Sequence, residues 1–568
     1  MNLFPSRSEG APALASATSP ASSAKPAWAA LGAATAALAI LACWLLRGHG
    51  RVGADNWFLK PHPPWPLGAW WLPLSGLLIF GGLSAACCYD RFYRAKSKRE
   101  EQTSLRLALG SLMLLSLVWN WGVLGPLGSN VKGDARPGFL NVLASSWSDV
   151  ATEYLGAAYR IEDAREFSRR YALEWQQPRS ILIAHVATHP PGATLFYFAC
   201  RRAVEASPAL REELLSLSER AVGLDRRELA LELNQIRSSA ANSGGGIDTI
   251  LPVEAIATAL LASLLLGAAP ALAVPALFVL GFSCAAASES ERRRAQGRGI
   301  LAAALWILAP STGLFAPTLD AIVALGAAWA LALCCKYLAQ DEPSASRKYW
   351  GGRGFVVGAG ALLALTGFIS FGALTIGLVL VLWLLLERRA QGIAWLLGGA
   401  LGMQVLLLLL FPHALLQVFV QAMQAHKFAT LNNRPFKLWP ALNFGVFALF
   451  AGWPVVLGLR ALLLKPGLSD SGLERLKRLG LATLGTMLLI SLAQSVRGEV
   501  ERLWMFLLPP FCALAAASWL PLRAAQAQAT PRRFRFALVG VVALLVVALQ
   551  AAQSLLMAVT LAPLVLPL

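Results

Sequence analysis

Long apolar runs separated by short polar connections recur along the whole sequence. Residues are 57% hydrophobic and only 14% charged, whereas soluble domains average about 25% charged residues. A membrane-crossing helix needs roughly 17–25 apolar residues, so the sequence predicts an all-α, polytopic transmembrane helix bundle of about 13–15 spans. The candidate spans are 28–46, 68–88, 104–126, 186–204, 248–267, 271–287, 300–315, 321–339, 354–371, 373–386, 393–411, 441–459, 479–495, 503–521 and 536–563.

Connections rich in Lys and Arg orient these spans. They lie at 91–99, 291–294, 347–353, 465–478 and 523–535. Short basic loops favour the cytoplasmic face, and the candidate spans place all five on one face, provided that 186–204 crosses the membrane. The same loops account for the net charge of +18. No nucleic-acid partner is expected, because the basic residues form no continuous basic domain.

This topology divides the chain into four parts. A cytoplasmic tail rich in Ser, Ala and Pro, predicted to be disordered, precedes two extra N-terminal membrane helices, a membrane core, and a basic loop with a C-terminal membrane helix. Their ranges are 1–27, 28–103, 104–520 and 521–568. Within the core, 127–185 is predicted to be a long extracytoplasmic loop. Residues 205–247 are predicted to be a cytoplasmic amphipathic segment, and a plain solvated linker is the alternative.

The long loop carries two candidate catalytic carboxylates, Asp149 and Glu153. If residues 147–161 are helical, the two side chains share one face, because they are four residues apart. Asp149 could act as a general base toward an attacking hydroxyl; a helix cap or a solvated charge is the alternative. Glu153 could support Asp149, hold a metal, or pair with a basic residue.

The loop closes on His189-Pro190-Pro191-Gly192, directly before an apolar run. Proline is tolerated in the first turn of a helix, so this motif predicts the start of a membrane helix. The positive end of that helix suits an anionic ligand. His189 is a candidate for binding a sugar hydroxyl or a phosphate. Pro190 argues against a zinc pair with His185, and no His-Glu-x-x-His pattern is present.

A dense group of charges, Arg497, Glu499, Glu501 and Arg502, precedes the predicted span 503–521. Outward arginines run against the positive-inside tendency, and a guanidinium matches the geometry of phosphate. We therefore predict that Arg497 or Arg502 binds phosphate and that the two glutamates hold the arginines; interfacial anchoring is the alternative. A second outward cluster contains His426, Arg434 and Lys437.

Together these segments resemble the GT-C glycosyltransferases, and within them the bacterial relatives of dolichyl-phosphate-mannose–protein mannosyltransferases. The resemblance is carried by Ser148-Asp149 to Glu153-Tyr154, Thr188 to Gly192, Pro317-Thr318-Leu319-Asp320, and Gly498 to Arg502. It implies an integral-membrane enzyme that transfers a sugar from a polyprenyl-phosphate donor to a hydroxyl of a cell-envelope glycan, glycolipid or protein. Asp149 would be the base and Glu153 a secondary acid. The active site would face the extracytoplasmic side of a bacterial inner membrane.

The chain departs from that family in its two extra N-terminal spans and in having no large soluble domain after the last span. Two other classes stay open: a lipid-linked-sugar transporter (flippase) and a catalytically inactive GT-C-fold subunit. A transport pathway would need charged residues inside the spans, and the candidate spans contain few of them. No cofactor is predicted with certainty, and a divalent metal such as Mg or Mn is left open.

Overall fold

A computed structural model describes residues 97–124, 130–131, 134–135, 138–147, 154–176, 184–241, 250–282, 289–340, 351–427, 439–463, 471–493, 496–520 and 532–560, besides two short strands and four isolated positions before residue 41. The strands form two small antiparallel pairs, β1 (Val52–Ala54) with β2 (Trp57–Leu59), and β3 (Asn130–Val131) with β4 (Asp134–Ala135). All the longer described elements are α-helices, which confirms the predicted all-α class.

The helices follow one another closely. The first eight are α1 (Lys98–Leu124), α2 (Gly138–Trp147), α3 (Tyr154–Ala158), α4 (Ala164–Glu174), α5 (Ala184–Thr188), α6 (Gly192–Ala206), α7 (Pro208–Val222) and α8 (Arg226–Ala241). The next eight are α9 (Ala255–Phe282), α10 (Glu289–Ile307), α11 (Pro310–Leu314), α12 (Leu319–Leu338), α13 (Gly351–Ile369), α14 (Gly372–Leu386), α15 (Ala390–Leu410) and α16 (Leu415–His426). The last six are α17 (Trp439–Ala451), α18 (Trp453–Gly458), α19 (Ser471–Leu492), α20 (Val500–Leu503), α21 (Leu508–Trp519) and α22 (Arg532–Thr560). Short 3₁₀ turns follow α18 (Leu459–Leu463) and α20 (Met505–Leu507).

Several of these helices are long and apolar enough to cross a bilayer. Within the described residues there are five, belonging to α1, α9, α12, α13 and α15, and a sixth if the bent pair α17–α18 counts as one span. The chain is thus a multi-pass membrane protein. The predicted total of about 13–15 spans stays a prediction, because 68–88 lies outside the described residues and 28–46 almost entirely so.

The candidate spans between residues 186 and 287 are wrong in detail. Residues 248–267 and 271–287 were predicted as two spans, but α9 is one helix that continues through Pro270 and Pro275. The candidate 186–204 becomes α6, whose 15 residues reach only about 22 Å, less than the roughly 30 Å of a hydrocarbon core. One crossing by α9 replaces the three predicted ones, so the agreement among the basic loops is preserved.

The helices α2 to α8 form a layer at one end of the bundle, here called the cap layer together with α16. They share a hydrophobic cluster with the N-terminal part of α9. Trp147 at the end of α2 donates from Nε1 to Asn234 of α8 (3.4 Å), and Arg201 of α6 donates to the carbonyl oxygens of Ala158 and Ile161 (3.0 and 3.1 Å). Residues 205–241 thus pack on the 138–172 helices. The prediction that 205–247 is a cytoplasmic amphipathic segment stays a prediction, because these contacts do not show on which side of a membrane the cap layer lies.

Basic residues gather at the opposite end of the bundle. Arg292 at the start of α10 pairs with Glu101 of α1, whose other oxygen accepts from Gln296 at 2.6 Å. Arg478 of α19 pairs with Glu387 after α14 at 3.0 Å. The first pair joins the starts of two helices that follow the predicted basic loops 91–99 and 291–294. The second joins the 465–478 loop to the end of α14; this end of the bundle is here called the basic end.

The bent pair α17–α18 turns by 104° at Gly452. A helix break leaves backbone groups without their usual partners, which is costly in an apolar interior. Two glutamines of α22 supply the missing partners. Gln550 donates to the Ala451 carbonyl at 2.7 Å, and Gln553 donates to Leu449 O and accepts from Trp453 N, both at 2.8 Å.

Candidate functional site

An ion group lies where α12 and α20 begin, at the end of the bundle that carries the cap layer. Asp320 is in the first turn of α12, where a negative charge is favoured by the helix dipole. Arg502 of α20 lies with Nε 3.4 Å from Asp320 Oδ2 and Nη2 3.0 Å from Glu499 Oε2. The guanidinium is therefore oriented from two sides by carboxylates that come from different parts of the chain.

The turn before α20 has an unusual backbone. Gly498 and Glu499 both have positive φ, 83° and 58°, a conformation that costs about 1–2 kcal/mol for a residue with a side chain. Asn443 of α17, fully buried, holds this turn: its Oδ1 accepts from Gly498 N at 3.2 Å and its Nδ2 donates to Val496 O at 2.9 Å. One side chain thereby fixes the backbone that presents Glu499 and Arg502.

Burial keeps Arg502 only partly accessible, with 20% of its side chain exposed. Burial by itself lowers the pKa of this guanidinium, but the carboxylates of Asp320, Glu499 and Glu501 outweigh burial and raise the pKa above its usual value. Glu501 is itself buried, at 3% exposure. Arg502 is therefore a fixed positive charge among three carboxylates.

Tyr154, the first residue of α3, connects this ion group to the start of α6. Its ring is buried and lies 5.8 Å from the His189 ring, edge to face, and 5.9 Å from the Tyr197 ring. Burial, followed by the influence of Tyr171 and Asp320, raises its pKa well above 10, while Arg502 acts in the opposite direction. Tyr154 is thus a neutral phenol within electrostatic reach of both members of the ion pair.

His189 lies just before the start of α6. The His-Pro-Pro-Gly motif thus begins a helix, as predicted, but that helix is too short to be the predicted membrane span. The helix begins at Gly192 after Pro191. His189 Nδ1 lies 3.1 Å from Thr188 Oγ1, and its backbone carbonyl accepts from the Tyr171 hydroxyl at 2.9 Å. A Cβ on Gly192 would lie 2.1 Å from the Phe368 carbonyl oxygen, so only glycine lets α6 approach α13 this closely.

Some of the predicted site residues lie at the ion group, and others lie outside the described residues. The structure brings His189, Glu499, Glu501 and Arg502 to one end of the bundle, with Tyr154 between the histidine and the arginine. Arg497 is half-buried at the start of the turn that carries Glu499. His426 ends α16 in the cap layer. Asp149, Glu153 and Arg434 lie outside the described residues, as do the side chain of His185 and residues 148–153 of the predicted 147–161 helix; α3 ends at Ala158.

Sequence reasoning did not select Asp320, Tyr154, Tyr197 or Asn443 as site residues. Asp320 and Tyr154 lie in segments that resemble the GT-C family, so the signal was present in the sequence. Asn443 and Tyr197 gave no signal, because a buried amide or phenol within an apolar helix resembles any other core residue. Among the described residues, no group of three or more His, Cys, Asp and Glu side chains is arranged to hold a metal ion.

Comparisons with known proteins add little beyond the arrangement of helices. No family model matches the sequence, and no curated protein matches it. Among solved structures, the fold is similar to that of an Archaeoglobus fulgidus oligosaccharyltransferase tethered to an acceptor peptide with an NVT sequon. The TM-score is 0.37 and the identity 11%, over 78% of this chain and 55% of the other. The chain thus spans about half the length of that enzyme.

Proposed function

We propose that this protein is a membrane glycosyltransferase of the GT-C type, which transfers a sugar from a polyprenyl-phosphate donor to an acceptor hydroxyl. The observation that carries the proposal is the oriented Arg502, held by Asp320 and Glu499 beside the Tyr154–His189 contact. A charged guanidinium at the end of a membrane bundle suits the phosphate of a lipid donor, which sits at the same depth.

The proposed reaction is a single displacement. The acceptor oxygen attacks the anomeric carbon, the bond from that carbon to the phosphate oxygen breaks, and the hydroxyl proton passes to a carboxylate base. Asp149 is the proposed base and Glu153, which directly precedes Tyr154 in the sequence, is the second acid. The lipid phosphate leaves with its negative charge.

Arg502 is proposed to stabilise that leaving phosphate, assisted by Arg497. The ion pairs of Arg502 use Nε and Nη2, and the proposal assigns Nη1 to the phosphate. Glu499 and Glu501 keep the guanidinium in place and charged. His189 is proposed to bind a sugar hydroxyl or phosphate, and the cluster of His426 and Arg434 to bind the donor or acceptor more loosely.

The proposed location is the inner membrane of a bacterium, with the ion group on the extracytoplasmic side. Support comes from the ion pairs that gather Arg292 and Arg478 at the basic end, opposite the cap layer. Short loops rich in Arg and Lys favour the cytoplasm. The acceptor, on this proposal, is a cell-envelope glycan, a glycolipid or a protein.

The test is transfer by the purified full-length protein from a panel of polyprenyl-phosphate sugars. Asp149→Asn should lower transfer by roughly 10²–10⁴-fold with donor binding largely kept. Arg502→Ala should weaken donor binding as well as turnover, because the phosphate is charged before the reaction. Arg170→Ala is the matched control, since Arg170, like Arg502, pairs with two carboxylates but is 58% exposed on α4.

Two outcomes would contradict the proposal. Unchanged transfer in Asp149→Asn would remove that residue as the base. Movement of lipid-linked sugar across the bilayer without any glycosyl transfer, surviving Asp149→Asn, would favour the transporter class instead.

A further inference from the structure

Helix α16 begins where a spanning helix ends. Helix α15 has 21 residues, so it is about 31 Å long and crosses a hydrocarbon core of roughly 30 Å with little to spare. Only residues 411–414 separate it from α16. With 12 residues, α16 is about 18 Å long and too short to cross. It must therefore lie near the boundary between hydrocarbon and headgroups.

The surface of α16 is divided into three stripes. One stripe is buried: Val418 and Ala422 are fully covered, and the helix packs on α5 and α4 of the cap layer. A second stripe is apolar and exposed, with Leu416 at 76%, Val420 at 44% and Met423 at 38% exposure.

The third stripe of α16 consists of amides: Gln417 and Gln424 are exposed, and Gln421 between them is half-buried with its Oε1 covered. Both outer stripes follow the i, i+4, i+7 spacing that keeps residues on one side of a helix.

The apolar stripe continues an apolar surface of α15. Near the end of that helix Leu406, Leu409 and Leu410 are 47%, 66% and 53% exposed. An open leucine surface on a membrane-spanning helix faces lipid chains, since exposed apolar patches of this extent are rare in water. Residues 411–414, which join α15 to α16, include no lysine, arginine or carboxylate; Arg165 of α4 donates to the Leu409 carbonyl beside them at 3.4 Å.

We propose that α16 is an interfacial helix whose partner is the phospholipid bilayer. Leu416, Val420 and Met423 enter the outer part of the acyl-chain region, and the exposed Gln417 and Gln424 face headgroups and water. Lys427, exposed one turn beyond Met423 on the same side, extends its stem along the apolar surface and places its ammonium among lipid phosphates.

The proposed position of α16 determines the depth of the candidate site relative to the bilayer. Gln176 donates from Nε2 to both the Val418 carbonyl of α16 (3.1 Å) and the Ala187 carbonyl of α5 (3.0 Å). Helix α5 leads directly into His189. A helix anchored in the interface thus holds the start of α6 at the level of the headgroups through one buried amide.

The test uses the full chain in nanodiscs of phosphatidylethanolamine and phosphatidylglycerol with labelled acyl chains. A photoreactive benzophenone residue replaces Leu416 in one variant and Gln424 in another; both positions are exposed, so neither change fills a packed core. Irradiation should attach lipid to position 416 several-fold more than to position 424. A second pair, Val420 and Gln417, repeats the comparison.

Equal lipid attachment at the apolar and amide positions of both pairs, or more at the amides, would overturn the proposal. The measurement does not use glycosyl transfer, so its result is independent of whether the proposed reaction is correct. Melting temperatures equal to that of the native protein confirm that each variant is folded.

Discussion

Replacing Asn443 with leucine tests how the site is built. The leucine has a similar volume but cannot bond to the backbone, so Val496 O and Gly498 N lose their buried partner. Each hydrogen bond is worth about 0.5–1.5 kcal/mol, so the two together contribute about 1–3 kcal/mol. If losing these hydrogen bonds destabilises the observed conformation of the Gly498–Glu499 turn, a smaller fraction of molecules holds Arg502 in the correct orientation. Transfer should then fall by about 5–150-fold, since 1.4 kcal/mol is a factor of ten.

The matched control is Gln553→Leu. Gln553 is also buried and also bonds to two backbone groups, Leu449 O and Trp453 N, but at the bend of α17–α18. Both variants should lower the melting temperature in detergent to a similar extent. Only Asn443→Leu should also lower transfer beyond what reduced stability explains. Full activity in Asn443→Leu, or an equal loss in Gln553→Leu, would refute the reasoning that the turn orients the arginine.

Three further outcomes are expected. Gly498→Ala and Gly223→Ala each place a side chain at positive φ, 83° and 79°, so each should lower the stability by about 1–2 kcal/mol. Only Gly498→Ala should also reduce transfer. Melting temperature and transfer rate measured on both variants would show the difference. Gly192→Ala should be more damaging than either, because its Cβ meets the Phe368 carbonyl at 2.1 Å; a melting temperature equal to the native value would contradict this. Burial lowers the pKa of His413 below 6.5, so the unfolded chain binds that proton more tightly and stability should fall as the pH drops below about 6.5. His413→Gln should remove this part of the pH dependence, as followed by thermal unfolding across that range.

Much of the bundle could be predicted from apolar length, because a membrane helix needs little more than enough apolar residues. The same criterion failed at 186–204, since a buried helix of the cap layer is as apolar as a short span. It failed again at α9, a single helix where the spans 248–267 and 271–287 were predicted. Proline can be accommodated inside a membrane helix when neighbouring groups satisfy the freed backbone.

The candidate site, too, could be predicted only in part from the sequence. His189 and Arg502 were predicted because histidine and arginine are rare on that face of a membrane protein and have definite chemistry. Asp320 was not selected, because its importance lies in its distance from Arg502, a residue far away in sequence. Asn443 acts only through the backbone of another segment. Such roles depend on the tertiary contact and leave no local pattern.

The bend at Gly452 has a consequence for how the protein is made. Its backbone is completed by glutamines about 100 residues downstream, and a ribosome adds about 5–20 residues per second. The carbonyls of Leu449 and Ala451 are therefore synthesised some 5–20 s before their partners exist. Until α22 is inserted, they need water, lipid headgroups or the insertion machinery as temporary partners. The final packing of α17 and α18 is thus a late event in biogenesis. A ribosome stalled before α22 would leave a bundle in which the backbone groups at the bend lack their glutamine partners.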